Sequence, residues 1–440
     1  MAKNPNSKSQ FIRKYRKLTR DPKSFFEDSD NPVVRHLGGL AVHARDRVTR
    51  RRDGVHSHLH ELRRSQYRSG ALRRPTSARD LFHEPFVAVI GDLGLPQCKK
   101  YRVLQKLEIL EKAGIKCGYS HWMDLPRATS LLQNASCVIF YRTHATASFC
   151  ELVAEAVRLG LTIGYDIDDP IFDLAIYSEN PNLDFITKRE KNALLSQTSE
   201  YLAALRMADF VITSTPYMKE CIQRSFRGPV YLWRNAVDSE SVHAASLATD
   251  KRAAPASPGT ITIGYASGSR AHEADFRTIE SVLLQVLEAH PNVRIQVIGY
   301  ADLPETFKPY ASRIATEPVA TYPAYLGLLA RCDIALVPLV IDEFNECKSA
   351  VRFLDAAAVR VPVIAAATGD FKNVVVHGKN GLLAANEAEW LQAIELLIGD
   401  GAKRREIADG AKRHAEAVRV SSETFESFDT GVRRALDFRR

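Results

Sequence analysis

The sequence predicts an α/β protein of two doubly wound, parallel-sheet domains that face each other across a cleft, preceded by a basic N-terminal segment. Three observations predict it. From Phe86 onward, short apolar runs alternate with helical stretches at the spacing of βαβ units, which calls for right-handed crossovers and a sheet covered on both faces. Residues 244–259, Ala-Ala-Ser-Leu-Ala-Thr-Asp-Lys-Arg-Ala-Ala-Pro-Ala-Ser-Pro-Gly, break the alternation with small, polar and proline residues. A second series of the same kind then starts at Thr260. With 440 residues and 45% hydrophobic content, the chain has material for two or three cores.

Residues 1–84 come first and differ from the rest. They carry 20 lysines and arginines against 9 aspartates and glutamates, whereas the whole chain is only +8, so the remainder is slightly acidic. Phe11, Tyr15 and Leu18 fall at helical spacing, and Arg20-Asp21-Pro22-Lys23-Ser24-Phe25-Phe26 pairs aromatics with cations, the pattern of an interfacial helix. A membrane surface or a docking partner is expected through residues 1–80, with a solvated basic tail as the alternative. No motif that reads nucleic acid accompanies the charge, so nucleic acid is not expected as a partner. No run approaches the roughly 18 apolar residues that cross a bilayer, and the N-terminus lacks the apolar core of a signal peptide. A cytoplasmic location is therefore expected. Seven cysteines without a CxxC pair argue against a disulfide framework or a zinc site.

The first domain is expected over 85–243. Its strands are Phe86 to Gly91, Cys137 to Tyr141, Leu161 to Tyr165, Asp209 to Thr213 and Val230 to Leu232, with helices over Tyr101 to Ala113 and Phe149 to Leu159. After the linker the second domain is expected over 260–420, followed by a C-terminal helix in 421–440. Its strands are Thr260 to Tyr265, Val293 to Gly299, Asp333 to Pro338 and Val361 to Ala366. Its helices cover His272 to Ala289, Tyr325 to Ala330, a stretch beginning just after Cys347, Glu387 to Ile398 and Lys403 to Ala417.

In such sheets, active residues gather at the carboxyl ends of the strands. Asp166, Asp168, Asp169 and Asp173 crowd one such end, which raises at least one carboxyl pKa as a general base requires; loop capping is the alternative. The loop from Gly91 to Arg102 combines Gly94, which permits close backbone approach, with Lys99, Lys100 and Arg102 behind it. It has neither the GxGxxG nor the GxxxxGK[ST] pattern, so neither NAD nor ATP chemistry is indicated. Arg142 and His144 end a further strand, His144 as a base, a hydroxyl partner or a structural hydrogen-bonder. In the second domain, Ser267 and Gly268 let backbone N–H groups approach a diphosphate and Arg270 adds a bidentate cation. Lys348, Arg352 and Asp355 form a charged ridge on an otherwise apolar helix, and Ser349 with Lys348 at its start suits a phosphate.

These residues carry a resemblance. The order Asn235-Ala236-Val237-Asp238, Ile263-Gly264-Tyr265, Ala330 to Pro338, Ala356 to Ala365 and His377-Gly378-Lys379-Asn380-Gly381-Leu382-Leu383 resembles the donor domain of the GT-B glycosyltransferases, family 4, which pairs two Rossmann-like domains. The first half, through Lys100 to Lys106, His121-Trp122, Ile139 to Arg142 and Asp166 to Asp169, resembles a bacterial capsule and O-antigen polysaccharide-assembly subgroup, and Lys17 to Phe26 is similar to N-terminal segments of capsule-synthesis proteins.

The resemblance implies a retaining hexosyltransferase that moves a sugar from a nucleotide-sugar donor to a hydroxyl of a glycan or lipid-linked acceptor, peripheral at the inner face of the cytoplasmic membrane, with no cofactor and no bound metal. It implies donor binding by Ser267, Gly268, Arg270, Lys348, Ser349, Arg352 and Asp355, with base contacts near Pro318 to Tyr322. Acceptor binding falls to Gly94, Lys99, Lys100, Arg102, Arg142 and Asp166, and acid–base work to Asp168, Asp169 and His144. The family's Glu-x(7)-Glu falls on Cys347 and Asp355, so a thiol stands at the first position. A GT-B nucleotide-sugar epimerase and a non-catalytic glycan-assembly scaffold are the alternatives.

Overall fold

The computed structural model describes residues 85–250, 259–268 and 272–436. The expected leader and Arg270 lie outside the described residues. The chain forms two six-stranded sheets, parallel throughout. The first contains β1 (Phe86–Gly91), β2 (Lys116–His121), β3 (Cys137–Tyr141), β4 (Thr162–Asp166), β5 (Phe210–Thr213) and β6 (Val230–Leu232), in the order β2-β1-β3-β4-β5-β6. The second contains β7 (Ile261–Ser267), β8 (Val293–Gly299), β9 (Ile314–Glu317), β10 (Ile334–Val337), β11 (Val363–Ala366) and β12 (Leu382–Ala384), in the order β12-β11-β10-β7-β8-β9. Strand order reverses between β1 and β3 and between β7 and β10, and ligands bind at such switch points, beyond the carboxyl ends.

The apolar runs make the central strands. Cys137–Tyr141 and Ile334–Val337 are buried along their whole length, as expected of strands sandwiched between helices. One core surrounds the second sheet, with Ile263, Phe276, Leu283, Val297, Phe353 and Ile364 among its members. The first sheet has a core on each face, one around Ile90, Phe140, Phe149 and Val211, the other around Val89, Ile139, Ile109 and Trp233.

Three local expectations are corrected. Residues 244–250 are not linker: Ser239–Asp250 is a helix whose Ala244, Ala245 and Ala248 are buried in the second core. Alanine favours the helix and is small enough to seat it closely. The expected helix from His272 is broken into Glu273–Arg277 and Glu280–Ala289, and at the break the Thr278 hydroxyl donates to the Asp275 carbonyl at 2.7 Å. The helix expected just after Cys347 starts at Val351. The Lys348 carbonyl accepts from the Asp370 N–H at 3.0 Å, so it does not serve a helical turn, and Lys348 and Ser349 lie in the preceding loop. Gly369 permits this approach: its φ is +57° and a Cβ there would stand 2.8 Å from the Lys348 oxygen.

The chain passes between domains at Trp233–Asp238 and returns at Val418–Val420. The two passes are tied by the Val237 N–H on the Val418 carbonyl (3.1 Å) and the Val420 N–H on the Val237 carbonyl (2.9 Å). Beyond the return, Phe425, Val432 and Leu436 are buried in the first domain's core beside Trp233, and the Trp233 and Phe428 rings lie 4.7 Å apart. The helix Thr430–Leu436 thus belongs to the first domain by packing.

Candidate active site

A cavity of about 520 Å³ opens between the carboxyl ends of the two sheets. From the second domain it is lined by Ser267, Gly268, His272, Lys348, Ser349, Arg352 and Asp355, and from the first by Lys100, Tyr101, Arg142, Asp168 and Asp169. Ile171, Leu183, Ile186 and Leu194 add an apolar wall, and Val319, Ala320 and Tyr322 line the part where base contacts were expected. A Cβ on Gly268 would meet the Gln97 side chain at 2.5 Å, so the two domains touch at the rim.

The centre of the site is a charge chain across the cleft. Asp169 binds Lys348 of the second domain through one oxygen at 2.7 Å and Arg142 through the other at 2.7 Å. Burial alone pushes the Asp169 carboxyl up, but Lys348 and Arg142 outweigh it and hold the group well below the usual range. Asp168 has weaker partners, Arg142 and the Tyr141 hydroxyl, both at 3.3 Å. Burial raises its pKa, Arg142 only partly opposes this, and the neighbouring Asp169 raises it further. The two adjacent carboxylates are thus pushed in opposite directions, Asp169 down and Asp168 up. Arg142 holds both from a left-handed backbone (φ 47°), a strained geometry for a side chain of this size and the kind found at functional positions.

Arg352 faces the cavity with a buried Nη1 that has no hydrogen-bond partner among the described residues. A buried guanidinium N–H left unpaired is costly and marks a place for an anion. Asp355 accepts from the hydroxyls of Tyr101 and Tyr322, the latter at 2.7 Å. Burial pushes its carboxyl up to about 6 although both hydroxyls act against the shift. Ser349 Oγ accepts from Asn235 Nδ2 at 3.0 Å, which ties the loop to the interdomain crossing.

Other expected site residues lie elsewhere. Arg102 and Asp166 are not acceptor ligands: they are 1% and 0% exposed and bound to each other at 2.6 Å, with Lys106 on the second Asp166 oxygen. Arg102 also donates to the Trp233 carbonyl and to Asn235 Oδ1, both at 2.9 Å. Lys100 lines the cavity, yet its ammonium is held by Asp238 at 2.7 Å and lies over the Tyr322 ring. Lys100 and Arg102 belong to one π-helical turn, Lys99–Leu104, whose wider winding lets consecutive side chains reach inward. The turn is an interdomain joint rather than an acceptor surface. Lys99 lies over the Tyr119 ring, 5.3 Å from its centroid, and Gly94 closes a turn through its own N–H on Asp92 Oδ1; neither lines the cavity. His144 is also outside the lining, its ring packed between Trp122 and Tyr201 and 3.8 Å from Glu200. Cys347 is fully buried, with its sulfur 3.8 Å from that of Cys221 in the first domain, and does not reach the cavity.

Sequence reasoning missed Tyr101 and His272, and it placed Tyr322 in the base-contact stretch without its hydroxyl's role on Asp355. Tyr101 stood between two cations that drew attention as a phosphate-type loop. His272 read only as the start of a helix.

Two parallel doubly wound domains with an interdomain cleft and a C-terminal return define the GT-B fold. Sucrose-phosphate synthase from Thermosynechococcus elongatus superposes with a TM-score of 0.52 at 15% identity, over 76% of this chain and 95% of that one. WaaG, a glycosyltransferase involved in lipopolysaccharide biosynthesis, superposes with a TM-score of 0.51 at 13% identity, over 78% and 98%. At these identities the likeness is one of fold. Residues 262–400, most of the second domain, match the family Glycosyl transferases group 1. The D-inositol 3-phosphate glycosyltransferase of Stackebrandtia nassauensis is 32% identical over 141 residues, 29% of this chain and 31% of the relative. The chain spans about a third of the length of the curated relatives it matches.

Proposed function

We propose that this chain is a glycosyltransferase that moves a hexosyl group, with retention, from a nucleotide-sugar donor to a hydroxyl of a glycan or lipid-linked acceptor in bacterial surface polysaccharide synthesis. The observation that carries the reading is the buried Nη1 of Arg352, unpaired among the described residues, on the cavity wall with Lys348 at the second sheet's switch point. The family match over 262–400 supports it independently.

Bond cleavage leaves a nucleoside diphosphate with its charge developing on the phosphates. Lys348, Arg352 and the Ser349 hydroxyl lie on the cavity wall to receive that charge, and preorganised donors of this kind are worth most in a water-poor site. Asp355, with Tyr101 and Tyr322, offers the carboxylate for the ribose hydroxyls. Asp168, its pKa raised, accepts the proton of the acceptor hydroxyl, while Asp169 stays ionised and ties the domains together around the substrates. The apolar wall at Ile171, Ile186 and Leu194 suits the less polar part of an acceptor. Among the described residues no helix is long and apolar enough to cross a membrane, so the proposed site at the inner membrane face rests on the basic leader.

Calorimetry with nucleoside diphosphates tests the donor site. Lys348→Ala and Arg352→Ala should each remove about 1.5–3 kcal/mol of binding, the worth of a hydrogen bond to a charged group. Unchanged affinity in both would defeat the assignment. Incubation with the sugar nucleotide alone should yield no interconverted sugar nucleotide, the product that an epimerase would form.

A further inference from the structure

We infer that His272 is an anion-binding residue of the donor pocket, whose Nε2 meets the donor's diphosphate and takes up a proton from solvent as the diphosphate binds. The inference rests on the donor-site reading above and concerns a residue outside the charged ridge.

The ring is fixed from behind. Its Nδ1 lies 2.8 Å from Asp275 Oδ2. Asp275 is fully buried and surrounded by donors: the Val340 N–H at 2.9 Å and Asn345 Nδ2 at 3.3 Å on Oδ1, and Asn182 Nδ2 of the first domain at 3.3 Å on Oδ2. Such a carboxylate stays ionised, so the shared proton belongs to Nδ1 and the neutral ring keeps its lone pair on Nε2. His272 lines the cavity with Ser267, Gly268 and Arg352, and among the described residues nothing hydrogen-bonds to Nε2.

The charges around the ring explain the proton. Arg352 faces it from the helix Val351–Ala358 and Lys348 from the loop before that helix. Asp275 stands behind. Glu273, next in sequence, is engaged by the Asp302 N–H at 3.0 Å, and Asp342 lies close enough to interact with Asp275 and Lys348. Burial and the Arg352 and Lys348 cations push the imidazole down to about 4, against the pull of Asp275. A diphosphate seated on Lys348 and Arg352 brings two negative charges, which reverses the sign of the field on the open side of the ring. The imidazolium then has a partner at each end, Asp275 on Nδ1 and a phosphate oxygen on Nε2. One proton moves from solvent onto the Nε2 lone pair, forming an N–H bond, and no bond of the donor breaks. Binding coupled to proton uptake strengthens as pH falls.

The test is calorimetry of the full chain with UDP-glucose, ADP-glucose and GDP-mannose in PIPES and imidazole buffers between pH 5.5 and 7.5. These diphosphate diesters have no titrating phosphate in that range, so the buffer dependence of the heat counts protons taken up by the protein. The wild type should show net uptake, with affinity rising by up to about tenfold per pH unit lowered, the limit for one linked proton. His272→Gln keeps an N–H donor without titrating, so it should bind with flattened pH dependence and reduced uptake. Binding without uptake in the wild type, or equal uptake in wild type and His272→Gln, overturns the inference alone. Absence of binding by all three donors overturns the donor-site reading and this inference with it.

Discussion

Asp355 lies beneath three tyrosines, two from the second domain and Tyr101 from the first. Its folded pKa, pushed up to about 6, exceeds that of an unfolded aspartate near 3.9, so its stabilising contribution is complete below pH 4 and is lost as pH rises through 6. Asp355→Asn does not titrate. Its unfolding free energy relative to wild type should therefore improve by about 2 kcal/mol between pH 4.5 and 7.5. Urea unfolding at the two pH values checks this, and a constant difference would rule out the burial account. At this scale the sequence revealed chemistry but not orientation. Lys348, Arg352, Asp168 and Asp169 were legible because charges at strand ends and on apolar helices need a reason. Cys347 and His144 were not, because which way a side chain faces depends on neighbours such as Cys221 and Tyr201 that are remote in sequence.

The π-helical turn Lys99–Leu104 is the element that most changed meaning. Its cations suggested an acceptor surface, yet Lys100 ends on Asp238, Tyr101 on Asp355 and Arg102 on Asp166 and Asn235. Each link runs to the second domain or to the crossing between domains, apart from Asp166 at the end of β4. Arg102 and Lys106 share that one buried carboxylate, and burial and Arg102 together push Lys106 down to about 7. Asp166→Asn leaves Arg102 without its charge partner and should cost about 3–5 kcal/mol of stability in urea unfolding, as breaking a buried pair does. A loss under 1 kcal/mol would show that the joint does not depend on the charge. Three of the four edge strands among the described residues were hidden in the sequence, β6 at Val230–Leu232 being the exception. β2, β9 and β12 are all edge strands, partly exposed or only three residues long, so they lack the continuous apolar run that marked β1, β3, β10 and β11.

Across the whole molecule, the domains are joined by two chain passes and by contacts across the cleft that include Lys348 with Asp169, Tyr101 with Asp355, Asn182 with Asp275 and Arg224 with Glu343. The basic charge, by contrast, is concentrated in residues 1–84, with a slightly acidic remainder. The full chain should float with vesicles containing anionic lipid at low salt and sink at 0.5 M salt, while a chain lacking residues 1–84 should fail to float and keep nucleotide binding. Equal flotation of the two would place membrane affinity elsewhere.

By itself the sequence determined two doubly wound domains and the charged groups of the second domain's cavity wall, because buried parallel strands must be apolar and isolated charges on apolar elements are costly. Only the tertiary structure decided which of those groups meet. Asp169 with Lys348 and Tyr101 with Asp355 are separated by 179 and 254 residues, and no local periodicity encodes a contact made by closing one sheet over another. The same closure put Arg102 and Asp166 in the joint and His272 in the pocket, since burial and partners belong to the assembled cleft rather than to any stretch of chain.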